Sequence, residues 1–416
     1  MTSRRAVQLA GLFVAIFCTT LAQPPVLGRL PIRYILKDTW NLNATDVALF
    51  FTLSAFPWYF KPLAALVSDR FKLAGSRRRA YIITSALCAG LLWYLLGVSA
   101  LKYRTLLCTV TAINSVLMIG SAALGGYFVD VGRSNASTAI ASTIVQTGRT
   151  TVGLSSGPLT GFLATLGFSV TCLTGGSILL VFCTLACWVI QDTSSELGSP
   201  DPSIAVWNWR AFLRLVFHPP MWITAGMLAL IFLTPGFVTP LWYHQVDKLH
   251  FTPQFIGNLD LVGGLCGLAG GVFYSILSSR VTLRTVLCAA VFADVGTTVS
   301  YLWYDSAAAA WIVAALGGLV GVITLIALIE LSARAAPIGF EALGYALLMT
   351  AWNMSMSFSD SLGSWLLDSY SMSFKDLVWL NAGASALVLP LVFALPQSLL
   401  LSSARTLQDE AGLEVT

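Results

Sequence analysis

The sequence predicts an all-α integral membrane protein with twelve transmembrane helices arranged as two halves of six. Hydrophobic residues make up 56% of the 416 residues and charged residues only 10%, a balance typical of chains that lie mostly within a bilayer. Apolar runs of about 20 residues, the length that crosses the hydrocarbon core, recur along the chain. The net charge of +4 is spread over the loops and gives no indication of nucleic-acid binding.

The N-terminal half holds six of these runs. The first follows Arg4 and Arg5 but leads at once to the second, so a membrane helix is favoured over a cleaved signal. Pro57 and Pro62 in the second run are expected to kink or interrupt its helix, as in helices that line a cavity. The six predicted spans are residues 8–30, 46–68, 80–99, 105–129, 138–165 and 169–190.

The C-terminal half holds the other six runs. Pro235 and Pro240 are expected to interrupt the seventh helix, and the glycines of the eighth run allow close approach of a neighbouring helix. Trp242 and Tyr243 fit an aromatic belt at the membrane interface. The six predicted spans are residues 219–243, 253–278, 283–304, 308–331, 339–367 and 376–400.

A polar stretch, residues 192–217, separates an N-terminal half (1–191) from a C-terminal half (218–416). We predict that this stretch is a cytosolic linker between two halves related by an axis along the membrane normal. If the N-terminus is cytosolic, fourteen loop lysines and arginines lie on the cytosolic side and seven on the other side. This bias agrees with the positive-inside rule, so both termini are predicted to be cytosolic.

Several charged residues fall inside predicted spans, where a charge costs about 3 kcal/mol on insertion scales and is usually functional. Two cations lie in the first half and two carboxylates in the second. One interpretation is that salt bridges hold the halves together. The other is a cavity with oppositely charged walls that binds an anionic or amphoteric solute. These residues are Lys61, Arg149, Asp260 and Asp360.

Uncharged polar residues within the spans are further candidates for solute binding. Gln23, Gln146 and Asn353 are able to hydrogen-bond a solute. Such residues, like Asn114 in the fourth span, more often serve helix–helix contacts. Both interpretations remain open for each of them at this stage.

A second set of charges lies at the predicted inner ends of the spans. An acid and an arginine three or four residues apart share a helix face, and such pairs are able to close one side of a transporter and release it on opening. The alternative is that these charges only set the topology, and Glu330 is also a candidate proton carrier. The candidate gate residues are Asp69, Arg70, Asp130, Arg133, Glu330 and Arg334.

Motifs of other function classes are missing from the sequence. The glycine-rich run 153–161 lies in a span and lacks the lysine of a phosphate-binding loop. The eight cysteines lie inside apolar runs without a paired metal-ligand pattern. We therefore predict no enzymatic activity, no metal and no cofactor.

Two stretches resemble the folate–biopterin transporter family of the major facilitator superfamily. One comprises Pro31–Asp38, Pro57-Trp58, Lys61-Pro62, Ser68-Asp69 and Arg77–Tyr81; the other comprises Ala336–Met349, Asn353 and Leu362-Gly363. The resemblance implies the major-facilitator fold, alternating access and proton-coupled movement of folates or pterins. It also implies that spans 2, 5, 8 and 11, which carry the four intramembrane charges, meet across the two halves.

One departure from the family pattern lies in the fourth span. Family members often carry several acids there, whereas this chain has Gly125 and Gly126 in the stretch that ends at Asp130. Carboxylates accept two hydrogen bonds from the amino-pyrimidinone edge of a pterin. The departure therefore favours an anionic or zwitterionic solute in general over a pterin in particular.

These observations predict a secondary active transporter for a folate- or pterin-like organic anion or zwitterion, with protons as a candidate coupling ion. Lys61 and Arg149 would attract carboxylates, while Asp260 or Asp360 would engage donors or protons. The alternatives are a major-facilitator transporter of an unrelated solute, such as a sugar or drug, and a non-transporting receptor or assembly factor with the same fold.

Overall fold

A computed structural model describes residues 3–76, 78–134, 138–190, 219–278, 280–335 and 341–393. In these ranges the chain is helical, and the only β-type pairing there is an isolated bridge between Leu73 and Ser76. The α-helices are α1 (Ser3–Leu21), α2 (Pro24–Leu27), α3 (Arg29–Tyr34), α4 (Ala44–Ala55), α5 (Lys61–Arg70), α6 (Arg79–Val98), α7 (Tyr103–Ser134), α8 (Thr138–Leu166), α9 (Phe168–Val189), α10 (Pro219–Phe232), α11 (Val238–Tyr243), α12 (Pro253–Ser278), α13 (Leu283–Ser300), α14 (Ala307–Ala335), α15 (Glu341–Ser369), α16 (Phe374–Ala386) and α17 (Leu389–Phe393).

Within the described ranges, six helices are long and apolar enough to cross a membrane. They are Arg79–Val98, Tyr103–Val131, Phe168–Val189, Pro253–Ser278, Leu283–Trp303 and Ala307–Ser332. Two shorter apolar helices, Ala6–Leu21 and Met221–Phe232, belong to the first and seventh predicted spans. Within the described ranges every predicted span coincides with one helix or a series of consecutive helices, so the predicted all-α class is confirmed.

Contacts divide the chain into two compact units. The first contains the described residues up to 190 together with 250–261, and the second contains 219–249 and the described residues from 262 onward. The predicted domain boundaries stay a prediction, because linker residues 192–217 lie outside the described ranges.

The first unit is built around α6, which packs against α7 and α9, while α1 packs against α8 and α9. Close approach of α6 and α9 depends on glycine: a Cβ at Gly175 would lie 3.0 Å from the Trp93 ring. Trp93 is fully buried, and its Nε1 donates to the carbonyl oxygen of Ala22 at 3.0 Å.

The second unit is built around α13, which packs against α14 and α16, while α10 packs against α15. Its apolar core includes Leu228, Tyr274, Val286 and Leu328. Hydrophobic side chains outside this core are exposed on several helices, as expected for surfaces that face lipid.

The two units repeat one backbone feature at the end of their first span. The α3 helix continues into a π-helical turn, Ile35–Thr39, and α11 continues into a π-helical turn, His244–Lys248. A residue with positive φ follows each turn, Asn41 at 50° and His250 at 51°. Because non-glycine residues seldom adopt this conformation, its recurrence at matching places indicates an internal repeat.

Candidate functional site

Lys61 lies at a change of helix type. The α4 helix gives way to a 3-10 turn, Phe56–Phe60, and Lys61 begins α5. Pro57 and Pro62 explain the interruption, because proline has no N–H for the helical hydrogen-bond ladder. The second predicted span is therefore a broken helix, and irregular backbone at membrane depth occurs where it is buried in protein or lines a cavity.

Lys61 and Arg149, which we call the cation pair, are close enough for their charges to interact. The Nζ atom of Lys61 lies 5.7 Å from the centroid of the Trp58 ring, and Arg149 is exposed on α8. Neither cation has a carboxylate partner among the residues that the structure describes. The first unit thus presents two positive charges that attract an anion.

Two of the predicted uncharged residues accompany the cation pair in the first unit. Gln146 lies three residues before Arg149 on α8, so the two share a helix face, and it is exposed. Gln23 lies at the break between α1 and α2 and is half-buried. Gln146 is therefore the better placed of the two to contact a ligand of Arg149.

Asp260 forms an ion pair with Arg29, the first residue of α3. Both residues belong to the first unit, because residues 250–261 group with it. Backbones approach closely beside this pair: a Cβ at Gly257 would lie 2.2 Å from the carbonyl oxygen of Gly157. In this conformation the Asp260 carboxylate is neutralised by a protein cation, so its role toward a solute stays a prediction that requires the pair to open.

Asp360 binds the start of α11. Its Oδ1 accepts the backbone N–H of Thr239 at 2.8 Å, and its Oδ2 accepts the Thr239 hydroxyl at 2.6 Å. Asn353 lies on the same helix two turns earlier and is exposed. Asp360 thus stabilises the break that the prolines introduce into the seventh span, while a role in solute binding stays a prediction for both residues.

Arg78 contacts Asp130, one of the candidate gate residues. The Nε of Arg78 lies 3.5 Å from Oδ2 of Asp130, and its Nη1 donates to Ser68 Oγ at 3.2 Å. A Cβ at Gly126 would lie 2.1 Å from Cζ of Arg78. The glycine in the fourth span therefore makes room for a guanidinium. In the sequence, Arg78 belongs to the basic run Arg77–Arg79 after the second span, for which a topology-setting role is favoured over a gate role. Gly126, one turn before Asp130, is a sequence signal of the close approach.

The remaining gate predictions differ in how far the structure describes them. Glu330 on α14 accepts a hydrogen bond from the hydroxyl of Tyr274 on α12. The helices that carry the other four residues are described, but their side chains lie outside the described part of the structure; these are Asp69, Arg70, Arg133 and Arg334. Their role as gate residues stays a prediction.

Other chemistry has little support in the described part of the chain. No group of three or more histidine, cysteine, aspartate or glutamate residues there is arranged to hold a metal ion. The eight cysteines are free thiols, some buried and some facing outward on the helices. The candidate site that the structure describes thus consists of charged and amide side chains.

Comparison with known proteins places these observations in context. A family model described as the BT1 family matches residues 25–411. The chain is 26% identical over 376 residues to the folate-biopterin transporter of Synechocystis sp., covering 82% of this chain and 71% of that protein. It is 22% identical over 272 residues to folate transporter 2 of Plasmodium falciparum, covering 63% and 57%. It is 21% identical over 431 residues to probable folate-biopterin transporter 4 of Arabidopsis thaliana, covering 82% and 85%.

Solved structures show the same fold at low identity. A mutant of the nucleoside transporter NupG superposes with a TM-score of 0.72 at 12% identity, over 94% of this chain and 99% of that chain. The D-xylose-proton symporter superposes with a TM-score of 0.69 at 13% identity, over 95% and 98%. These similarities confirm the major-facilitator fold that the sequence predicts.

Proposed function

From the premise that the chain belongs to the BT1 family, we propose that it moves a folate- or pterin-like organic anion or zwitterion across a membrane. The protein is an integral membrane transporter with the major-facilitator fold. Its relatives are named folate and folate-biopterin transporters. Their names support the substrate class proposed for this chain.

The cation pair is the observation that carries this proposal. Two like charges near each other repel, and an anion that binds beside both offsets this repulsion by its attraction to each cation. One unit charge at roughly 4 Å from another contributes about 4 kcal/mol at an effective dielectric constant of 20, before desolvation is subtracted. A carboxylate, such as that of a folate glutamate tail, is a ligand of suitable charge.

Coupling and orientation form the second part of the proposal. We infer alternating access coupled to protons, with both termini and the linker in the cytosol. Asp360 and Glu330 are the candidate proton carriers, because ionisable residues within spans commonly serve in proton relays. The named function of the D-xylose-proton symporter, a structural neighbour, supports proton coupling in this fold.

Uptake by proteoliposomes tests the substrate class. We expect saturable uptake of radiolabelled folate, and we expect Lys61→Gln and Arg149→Gln each to raise its KM about tenfold, as for loss of one charged hydrogen bond. Lys72→Gln is the matched control, because Lys72 is exposed in a loop. If the protein takes up xylose or uridine but no folate, its solute is unrelated to folate. Wild-type kinetics of folate uptake in both cation variants would exclude the assigned site.

A further inference from the structure

The broken second span is held to α7 by hydrogen bonds that end beside Lys61. Asn114 of α7 is only 1% exposed. Its Nδ2 donates to the carbonyl oxygen of Ser54 at 2.8 Å, and its Oδ1 accepts the indole N–H of Trp58 at 3.2 Å. The Trp58 ring in turn lies against the Lys61 ammonium, with 5.7 Å between Nζ and the ring centroid.

The Asn114 side chain provides the hydrogen-bond donor and acceptor that are needed where α4 changes to the 3-10 turn. Ser54 is near the end of α4, where the backbone changes to a 3-10 turn. A 3-10 turn pairs each carbonyl with the N–H three positions later. The residue three positions after Ser54 is Pro57, which has no N–H, so the Ser54 carbonyl needs another donor. The Asn114 amide supplies that donor and, through its oxygen, an acceptor for Trp58. No hydrophobic residue supplies either group, and a buried polar group left unpaired is costly.

We propose that Asn114 is a positioning residue for the cation pair. By holding the Trp58 indole, it places the ring against which the Lys61 ammonium rests through a cation–π contact. The ammonium is thereby kept at the broken end of the helix, where it faces an anion. The role of Asn114 in solute binding rests on the proposed function, whereas the placement of Lys61 is testable without a substrate.

A purely structural role for Asn114 makes a different prediction. An amide that only joins two helices would affect stability, and its loss would add to the effect of any change at Lys61. A positioning residue acts through Lys61, so its loss has no further effect on substrate affinity once the ammonium is gone. The dependence on Lys61 separates the two roles.

The first experiment follows Lys61 without substrate. The full-length protein in detergent is reductively methylated with 13C formaldehyde, and the dimethyl-lysine signal of Lys61 is identified by its absence in Lys61→Gln. We expect Asn114→Ala, which removes both hydrogen bonds, and Trp58→Phe, which removes the indole N–H together with part of the ring, to shift this signal. Ser115→Ala is the matched control on α7, because its hydroxyl bonds to Thr111 of its own helix. An unmoved signal in folded Asn114→Ala overturns the proposal. If that variant fails to fold, an unmoved signal in Trp58→Phe overturns it.

The second experiment follows folate uptake. We expect Asn114→Ala to raise the KM for folate about threefold to tenfold with little change in kcat, the range for loss of one neutral hydrogen bond. In Lys61→Gln the same change is expected to leave the KM unaltered. Independent, multiplying effects would overturn the positioning role. If the wild type takes up no folate, the proposed substrate fails, while the position of the Lys61 signal still decides this inference.

Discussion

Single side chains determine which charges of the first unit are neutralised. Arg78 is paired with Asp130, and Arg29 is paired with Asp260. The cation pair has no such partner among the described residues. Two cations without a described carboxylate partner are the pattern expected of a site that binds an anion.

Replacing Gly126 by alanine is expected to disturb the contact between Arg78 and Asp130. A Cβ at Gly126 would lie 2.1 Å from Cζ of Arg78, whereas a Cβ at Gly125 would meet nothing within 4 Å. Alanine is favoured over glycine within a helix by about 1 kcal/mol. We therefore expect Gly125→Ala to raise the melting temperature of the protein in detergent, and Gly126→Ala to melt below Gly125→Ala. Equal gains in both variants would contradict the contact, and an Asp130→Asn background should reduce the difference.

The pair formed by Arg29 and Asp260 is expected to show coupling in a double-mutant cycle. The side chains are 32% and 36% exposed, so solvent screens the pair and the coupling energy is expected to be about 1 kcal/mol. Arg29→Gln and Asp260→Asn should each lower the melting temperature, and their combination should cost less than the sum. Strict additivity would show that the contact contributes nothing to stability.

Interruptions of the helices are stabilised by side chains from neighbouring elements. In the first unit, Thr160 of α8 donates to the Leu27 carbonyl oxygen at 3.0 Å and accepts the Leu30 N–H at 3.4 Å, across the junction of α2 and α3. In the second unit, Asp360 of α15 accepts both donors of Thr239 at the start of α11. In each unit, the fifth predicted span therefore supplies hydrogen-bond partners for the backbone groups at the break in the first predicted span. Burial of such groups in a membrane requires these partners.

The second unit adds further bonds at its break. The Nδ2 of Asn381 donates to the carbonyl oxygen of Pro235 at 3.0 Å, and the Ser359 hydroxyl donates to the carbonyl oxygen of Thr234 at 2.5 Å. Close backbone contact accompanies these bonds, because a Cβ at Gly363 would overlap the Gly236 carbonyl oxygen. Substitution of these groups is thus expected to lower the stability of the broken helix more than it weakens solute binding.

Asp360→Ala is expected to lower the free energy of unfolding by about 2 kcal/mol, because two donors on Thr239 lose a charged acceptor. Asp360→Asn keeps one acceptor oxygen and should cost less. The matched change Asp305→Ala, at an exposed loop residue, should have almost no effect. Denaturant or thermal unfolding in detergent measures the three variants. Equal stability of Asp360→Ala and the wild type would remove the assigned role at the α11 start.

Local signals in the sequence predicted most of the elements but only part of the site. Span lengths follow from hydropathy, and Pro57 marked the interruption of the second span because its effect on the backbone is local. The contact between Asp130 and Arg78 is not predictable in the same way. The spacing rule joins Asp130 to Arg133 on the same helix, and that pairing stays a prediction. Arg78 precedes α6 and reaches Asp130 through the packing of α6 against α7. Contacts between distant parts of the chain leave no periodic pattern.

At the scale of the whole molecule, charge and apolar surface together define a membrane protein with a repeated architecture. Each unit begins with a broken helix, a π-helical turn and a positive-φ residue at Asn41 or His250. A repeat of this kind is typical of transporters whose halves change their arrangement around a solute. The loops that join the spans determine the orientation in the membrane, because loops rich in lysine and arginine remain on the cytosolic side.

The orientation of the whole chain is the last expectation that follows from its charges. With fourteen loop cations on one predicted side and seven on the other, the side richer in lysine and arginine should be cytosolic. Lys72→Cys introduces a cysteine on the predicted side with more cations, whereas Lys102→Cys and Lys375→Cys introduce one on the predicted side with fewer cations. In intact cells, a membrane-impermeant maleimide should label the latter two above the signal of the native cysteines. Lys72→Cys should be labelled only after permeabilisation, because the reagent then reaches the cytosolic loops. Labelling in the reverse pattern would place both termini outside and assign the Lys72 loop to the opposite face of the membrane.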